Sequence, residues 1–178
     1  MNGFFHIFDE ETLVSQDDQF LIRRCRSEDL DKVYEIERKS FVDYWPKYSL
    51  DYVFRLGSEG FFVAEKNGEV VGYAIVTIER TLLPPWKRYG HLLNIAVDPL
   101  FRRRGIGKEL IEMVVNYLRD KKIEKIVLEV RASNTVARNL YISLGFTENG
   151  IKSKYYGDED AIVMVKEINA IPKNRTNK

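Results

Sequence analysis

Cysteine is nearly absent from this sequence: the single Cys25 excludes an intrachain disulfide, and two histidines give no Cys/His spacing suited to zinc. Charge of one sign is also missing. Against 28 basic residues stand 27 acidic ones, so no global field draws the chain to nucleic acid or to a membrane surface, and any basic patch must be local. No apolar run approaches the roughly 18 residues of a membrane span, and the N-terminal MNGFFHIFDEE lacks a basic leader segment and turns acidic early. The chain therefore reads as neither secreted nor membrane-bound, with a reducing cytoplasm as the expected compartment. Internal repeats, low-complexity segments and linkers are lacking too.

What is there suffices for one folded unit. The 178 residues are 44% hydrophobic, enough to bury a sizeable core. Residues 1–19, with Phe4, Phe5 and Phe8, read as an N-terminal extension, 20–168 as a single domain, and 169–178 as a basic, frayed tail.

Hydrophobic period supplies the elements. A short strand over 20–24 is followed by a helix to about 39, for which Ser27 is the expected N-cap. Within that helix Leu30, Val33, Tyr34, Ile36 and Glu37 keep helical spacing. SFVDYWPKYS, broken by Pro46, is either packing between helices or a substrate wall of Phe41, Val42, Tyr44 and Trp45. A second helix over 50–56 closes at Gly57 and Gly60. Strands at 61–65 and from 70 to 77 or beyond flank Asn67-Gly68, a pair suited to a type I′ hairpin turn. After the Pro84-Pro85 loop come a strand at 91–97, a helix at 105–121 and a short apolar strand at 126–130. The last helix is capped by Ser133 or Asn134 and stopped by Gly145, and two strands follow, 146–155 and 161–166. The order β-α-α-β-β-β-α-β-α-β-β predicts an α/β chain with a mixed sheet and helices on its faces.

The most distinctive stretch is 92–108, LLNIAVDPLFRRRGIGK, where an apolar strand runs through a basic turn into a helix. A helix N-terminus offers unpaired N–H groups and the positive end of the dipole, and Gly105 and Gly107 leave room for a phosphate to approach the backbone. Arg102, Arg103, Arg104 and Lys108 add charge. The plain alternative is a helix start with a solvated basic face. The turn lacks the Lys-Ser/Thr pair of a mononucleotide loop and the third glycine of a dinucleotide fingerprint.

Two further residues stand out. Glu129 lies in IVLEV on the strand face shared by Val127 and Arg131; an unpaired carboxylate there would have a raised pKa suited to a general base. Otherwise it forms an ion pair with Arg131 or a helix-end lysine. Tyr141, seven residues beyond Asn134, either packs its ring or donates a proton.

The spacing Arg102-x-x-Gly105-x-Gly107 resembles the pyrophosphate-binding signature of the GNAT acetyltransferases. With LEVRASNTVARNLYISLGF and KYYGDEDAIVM, the stretch IAVDPLFRRRGIGKELI is similar to the ribosomal-protein alanine (RimI-like) and archaeal N-terminal acetyltransferases of that family. The resemblance implies a GNAT-like acyl-CoA N-acyltransferase fold and transfer of acetyl from acetyl-CoA, by direct attack, to protein or peptide N-termini, ribosomal proteins among them. It implies that Ile95, Ala96 and Val97 face the acetyl and pantetheine arm. Arg103, Arg104, Gly105, Ile106, Gly107 and Lys108 would cradle the pyrophosphate, and Asn134 would also bind the cofactor. Glu129 would be the base, Tyr141 the acid, and Phe41, Val42, Tyr155 and Tyr156 the peptide site. His91 matches a position where some relatives carry a second base. The PPWKR loop and the first 19 residues fall outside the pattern. The rival readings are a GNAT enzyme acting on a lysine side chain or small amine, and a non-catalytic acyl-CoA-binding protein.

Overall fold

The computed structural model describes residues 19–82, 85 and 87–168. The expected extension, except Gln19, the tip of the proline loop and the tail from 169 onward lie outside the described residues. Eleven elements follow in the anticipated order: β1 (Leu21–Arg24), α1 (Leu30–Ser40), α2 (Lys47–Gly57), β2 (Phe61–Lys66), β3 (Glu69–Arg80), β4 (Arg88–Val97), α3 (Ile106–Asp120), β5 (Lys125–Arg131), α4 (Thr135–Ser143), β6 (Thr147–Lys152) and β7 (Ala161–Glu167). The strands form one sheet ordered β1-β2-β3-β4-β5-β7-β6. Only β4 and β5 pair in parallel; the other neighbours are antiparallel.

Alternation along the strands sorts the core into two layers. One face carries α3 and α4 over Val76, Leu92, Ile126, Leu128 and Val130. The other carries α1 and α2 over Phe61, Val63, Tyr73 and Ile75. On α3 the buried stripe comprises Ile106, Leu110, Ile111, Val114, Val115 and Leu118. Gly90 sets how closely that helix sits: a Cβ there would stand 2.3 Å from Leu118 Cδ1. The Asn67-Gly68 turn has φ of 52° and 82°, the double positive φ of a type I′ hairpin.

Two features open the sheet. β4 and β5 pair only at Gly90↔Ile126 and His91↔Val127, then diverge. The β3–β4 register also shifts between Ile75 and Val76, leaving Leu93 as an extra residue on β4. Such a bulge re-aims side chains. Leu93 packs against the α1/α2 layer, and the next residue, Asn94, reaches Glu37 of α1.

Three local expectations need correction. Ser27 does not cap α1; it begins a short 3₁₀ turn, where Asp29 accepts the Arg26 N–H at 2.7 Å and a two-point ion pair from Arg23. The helix α2 begins at Lys47, directly after Pro46, whose fixed φ suits the entry to a helix. β6 ends at Lys152 rather than at 155, because the chain turns there, with Lys154 at positive φ and its N–H donated to Asp160. Tyr155 and Tyr156 therefore lie on a loop.

Candidate active site

Where β4 and β5 part, a cleft of about 170 Å³ opens. Leu92, Leu93, Asn94 and Ile95 line it from β4, and Leu128, Glu129, Val130 and Arg131 from β5. Asn134, Ala137 and Tyr141 close the α4 side; Glu37, Phe41, Asp43 and Trp45 face them from α1 and its following loop, with Tyr156 from the β6–β7 loop. Several expected residues are thus brought together: Glu129, Tyr141, Asn134, Ile95, Phe41 and Tyr156. Val42 is not among them, since it is 98% exposed and points into solvent. Tyr155 is half exposed, sits edge-on to Tyr156 and lies outside the cleft lining. Ala96 and Val97 continue β4 beyond the cleft, and the Val97 carbonyl accepts Arg102 Nε at 3.0 Å.

Glu129 is 6% exposed and fully paired. Its Oε2 meets His91 Nε2 at 2.7 Å, and its Oε1 takes Lys152 Nζ at 2.6 Å. Neither Arg131 nor a helix-end lysine is the partner. The His91 contact first, and then Lys152 against the opposing effect of burial, hold the carboxyl at about 2. The expected raised value is therefore reversed: Glu129 is a carboxylate at neutral pH, and the group whose pKa is raised is its partner His91. Contact with Glu129 raises the imidazole above its ordinary value against its partial burial, with Glu79 adding to the effect. Lys152 is raised by Glu129 as well.

Tyr141 comes from the opposite face. Its ring packs on Phe146, with centroids 5.6 Å apart, inside the α3/α4 layer. Burial raises its pKa, and no hydrogen bond contributes, so the hydroxyl is a protonated group facing the cleft with its donor uncommitted among the described residues.

The loops at the mouth are tied to one side chain. Arg131 pairs with Asp43 at 2.7 Å and with Glu159 at 3.0 Å, while its guanidinium lies 4.3 Å from the Tyr156 ring centroid. Tyr156 in turn donates its hydroxyl to the Glu129 carbonyl at 3.3 Å, and burial pushes its pKa up to about 12.

Sequence reasoning passed over Glu37 by counting it as part of the apolar period of α1. It is 1% exposed and accepts from Trp45 N–H at 2.9 Å, from Asn94 Nδ2 and from the Tyr73 hydroxyl. A carboxylate on the buried stripe of a helix was the available signal. Glu79 and Lys152 carried no such signal, because neither interrupts an apolar run.

Below the cleft lies the basic turn. Gly105 adopts φ 81° as N-cap of α3, a left-handed conformation that favours glycine, and Arg103 also has positive φ. The amides that follow Gly105 have no intrahelical acceptor, and Arg103, Arg104 and Lys108 are exposed around them. A Cβ at Gly107 would meet Leu140 Cδ2 only at 3.5 Å, so the protein leaves that amide approachable. These residues fit a phosphate-bearing ligand.

The GNAT family of acetyltransferases matches residues 30–146, a span containing the turn, the cleft strands and α4. The chain belongs to the GNAT acetyltransferase family. It is 37% identical to an N-alpha-acetyltransferase of Sulfurisphaera tokodaii over 153 residues, 82% of this chain and 92% of that one. It is 34% identical to the ribosomal-protein-alanine N-acetyltransferase of Escherichia coli over 155 residues, covering 83% and 97% of the two chains. The E. coli crystal structure superposes with a TM-score of 0.71, covering 90% of this GNAT chain and all of that one at 30% identity. Ard1 of Thermoplasma volcanium gives 0.76 at 27% identity, covering 84% and 98%. GNAT enzymes use acetyl-CoA, which is the ligand that the basic turn suits. Among the described residues no helix of this GNAT domain is long and apolar enough to cross a membrane.

Proposed function

We propose that this enzyme transfers the acetyl group of acetyl-CoA to the α-amine of protein N-termini. One observation carries the reading: a cleft between β4 and β5 with the Glu129–His91 pair on one sheet face and the Tyr141 hydroxyl on the other, its mouth flanked by the Phe41–Trp45 loop and Tyr156. The relatives whose names specify α-amines or a ribosomal-protein alanine support the same substrate class.

Ile106, Gly107 and Lys108 would hold the pyrophosphate through backbone N–H groups, with Arg103 and Arg104 adding charge, and Asn134 would stand beside the pantetheine arm. Asn134 Oδ1 already caps α4 by accepting Ala137 N–H at 3.1 Å, which leaves its amide nitrogen as the free donor. Acetyl-CoA supplies the activated acetyl group and a thiolate that must leave protonated. Glu129 holds a negative charge where Lys152 now places an ammonium, so the α-ammonium of an incoming N-terminus would find a matched partner there. The proton it sheds passes to His91 Nε2, 2.7 Å behind Glu129. Tyr141 supplies a proton from the other side. Attack is direct: Cys25 is buried in the α1/α2 layer, away from the cleft, and burial pushes its thiol up to about 12, far from a nucleophilic thiolate.

The test is mass spectrometry of a library of N-terminal peptides incubated with enzyme and acetyl-CoA, beside N-terminally blocked lysine peptides and small amines. Acetylation at the α-amine is expected. Modification confined to lysine ε-amines or to small amines would replace the proposed substrate class, and the absence of all turnover would leave a binding protein. Relatives named as ribosomal protein bS18-alanine N-acetyltransferases support alanine as a first residue, and peptides beginning with alanine form the first arm of that library.

A further inference from the structure

The His91 ring is held at both nitrogens. While Nε2 faces Glu129, Nδ1 lies 2.8 Å from Oε1 of Glu79, on the neighbouring strand β3. Glu79 is itself fixed: Tyr89 donates to its Oε2 at 2.8 Å and the Thr77 hydroxyl to its Oε1 at 3.2 Å. Burial alone would raise the Glu79 pKa, but the bonds from Tyr89 and His91 outweigh it and keep the group ionised. Its side chain is 38% exposed, against 6% for Glu129, so the row Glu129–His91–Glu79 runs from the cleft to solvent. The titratable groups around the imidazole are Glu79 on β3, Tyr89 on its own strand, Glu129 on β5 and, through Glu129, Lys152 on β6. No role for Glu79 was implied by the sequence.

A neutral imidazole carries one proton, and the partner of one nitrogen decides what the other can do. We infer that Glu79 is a positioning residue for the acetyl transfer: it holds the Nδ1–H of the neutral His91 ring, so that Nε2 accepts the proton once the Glu129 carboxyl has drawn it from the substrate amine and presents it as an O–H. It then balances the imidazolium that forms, and being at the surface it lies where the proton can pass on to water. Without Glu79, the neutral ring would turn its single N–H toward Glu129 and Nε2 would have no lone pair to offer. The inference rests on the proposed roles of Glu129 and His91.

Two variants separate charge from hydrogen bonding. Glu79→Gln keeps an acceptor for Nδ1–H but loses the charge; Glu79→Ala loses both. Each is measured by kcat/KM for an N-terminal peptide across pH and by NMR titration of the imidazole. The chain has two histidines, so His91 is identified by its disappearance in His91→Asn. Removing one of two carboxylates should lower the His91 pKa by about one unit in both variants. The acid limb of kcat/KM should move down with it. At pH values above the limb, Glu79→Gln should lose less rate than Glu79→Ala, because it keeps the acceptor for Nδ1–H but not the charge that balances the imidazolium. Glu79→Ala should lose about 10–100-fold, the usual cost of removing a histidine's orienting partner, and nitrogen chemical shifts should show its neutral ring protonated at Nε2. Melting curves check folding, and if the alanine variant does not fold, the glutamine variant alone decides through the paired shifts. An imidazole pKa unmoved by Glu79→Gln, or one that falls while the kinetic limb stays in place, would overturn the role of Glu79. A wild-type chain inert toward all N-terminal peptides would instead sink the functional reading beneath it, with the NMR arm still reporting whether Glu79 holds the ring.

Discussion

Glu129→Gln is the substitution on which most of the site depends. It keeps the size of the side chain and removes the charge that joins His91 to Lys152. The carboxyl is held at about 2 against an ordinary 4.5, and a shift of that size corresponds to roughly 3 kcal/mol in favour of the charged form. Because the folded-state value is depressed, this stabilisation is complete above about pH 4.5 and is lost as pH falls through about 2. The variant starts without it. At neutral pH the observed cost is smaller, because the half-exposed Lys152 can turn to water; about 1–3 kcal/mol is expected. Urea unfolding across the acid range measures both quantities, and the variant should lose less stability than the wild type on acidification. A variant that destabilises in acid as steeply as the wild type would mean that Glu129 is not held by His91 and Lys152. The kinetic counterpart is a fall in kcat of about 10²–10⁴-fold with acetyl-CoA affinity unchanged. If that fall is small, His91→Ala is added, and an intact rate in the double variant removes both residues from the chemistry.

Gly107→Ala should fold normally, since its Cβ meets only ordinary contacts, yet weaken acetyl-CoA binding by about tenfold or more, roughly 1.4 kcal/mol; unchanged affinity by calorimetry would move the cradle elsewhere. Tyr141→Phe should lower kcat by about 10²-fold without changing the melting temperature, because the hydroxyl has no structural hydrogen bond to lose. A lower melting temperature with wild-type turnover would return it to the core. Glu37→Gln turns an amide N–H₂ toward a site already holding three donors, from Trp45, Asn94 and Tyr73. It should cost about 1–3 kcal/mol of stability and raise KM for peptide through the loosened Trp45 loop, measured by urea unfolding and steady-state kinetics; an unchanged midpoint would mean that this buried cluster does not anchor the loop.

Element order was legible because periodicity is a local property: the switch from strand to helix spacing is written within each segment, as is the glycine that ends it. What could not be read depends on partners distant in sequence. Glu129 reads as an isolated carboxylate in an apolar strand, and only the fold brings Lys152 across from an edge strand and His91 from β4, reversing the direction of its pKa shift. Glu37 passed as one more member of a helical stripe because its three donors come from three other segments. Ser27 is a good cap by type, but Asp29 gains Arg23 and the Arg26 N–H at once and sets the turn instead. Composition leaves the aromatic loop as either helix packing or a substrate wall, whereas backbone direction decides which members face inward: Phe41 and Trp45 do, and Val42 does not.

The divergence of β4 and β5 is what would let the proposed reaction separate proton removal from proton supply. A fully paired sheet would keep the side chains of its two faces apart, with backbone between them. Here Ile126, Leu128 and Val130 belong to the α3/α4 layer, which by alternation turns Glu129 to the α1/α2 side, where His91 also lies. Tyr141, on α4, belongs to the first layer. Past His91 and Val127 the strands no longer bond, and the slot between them lets groups from both layers line one cleft. The positions then follow from topology: in the proposed reaction a proton taken toward Glu129 and His91 would leave by way of Glu79 on β3, and one given by Tyr141 would come from the buried α3/α4 layer, where its pKa is raised. Pairing β4 to β5 for two more residues would close the slot and cut Tyr141 off from Glu129, His91 and Glu79, which share the other face.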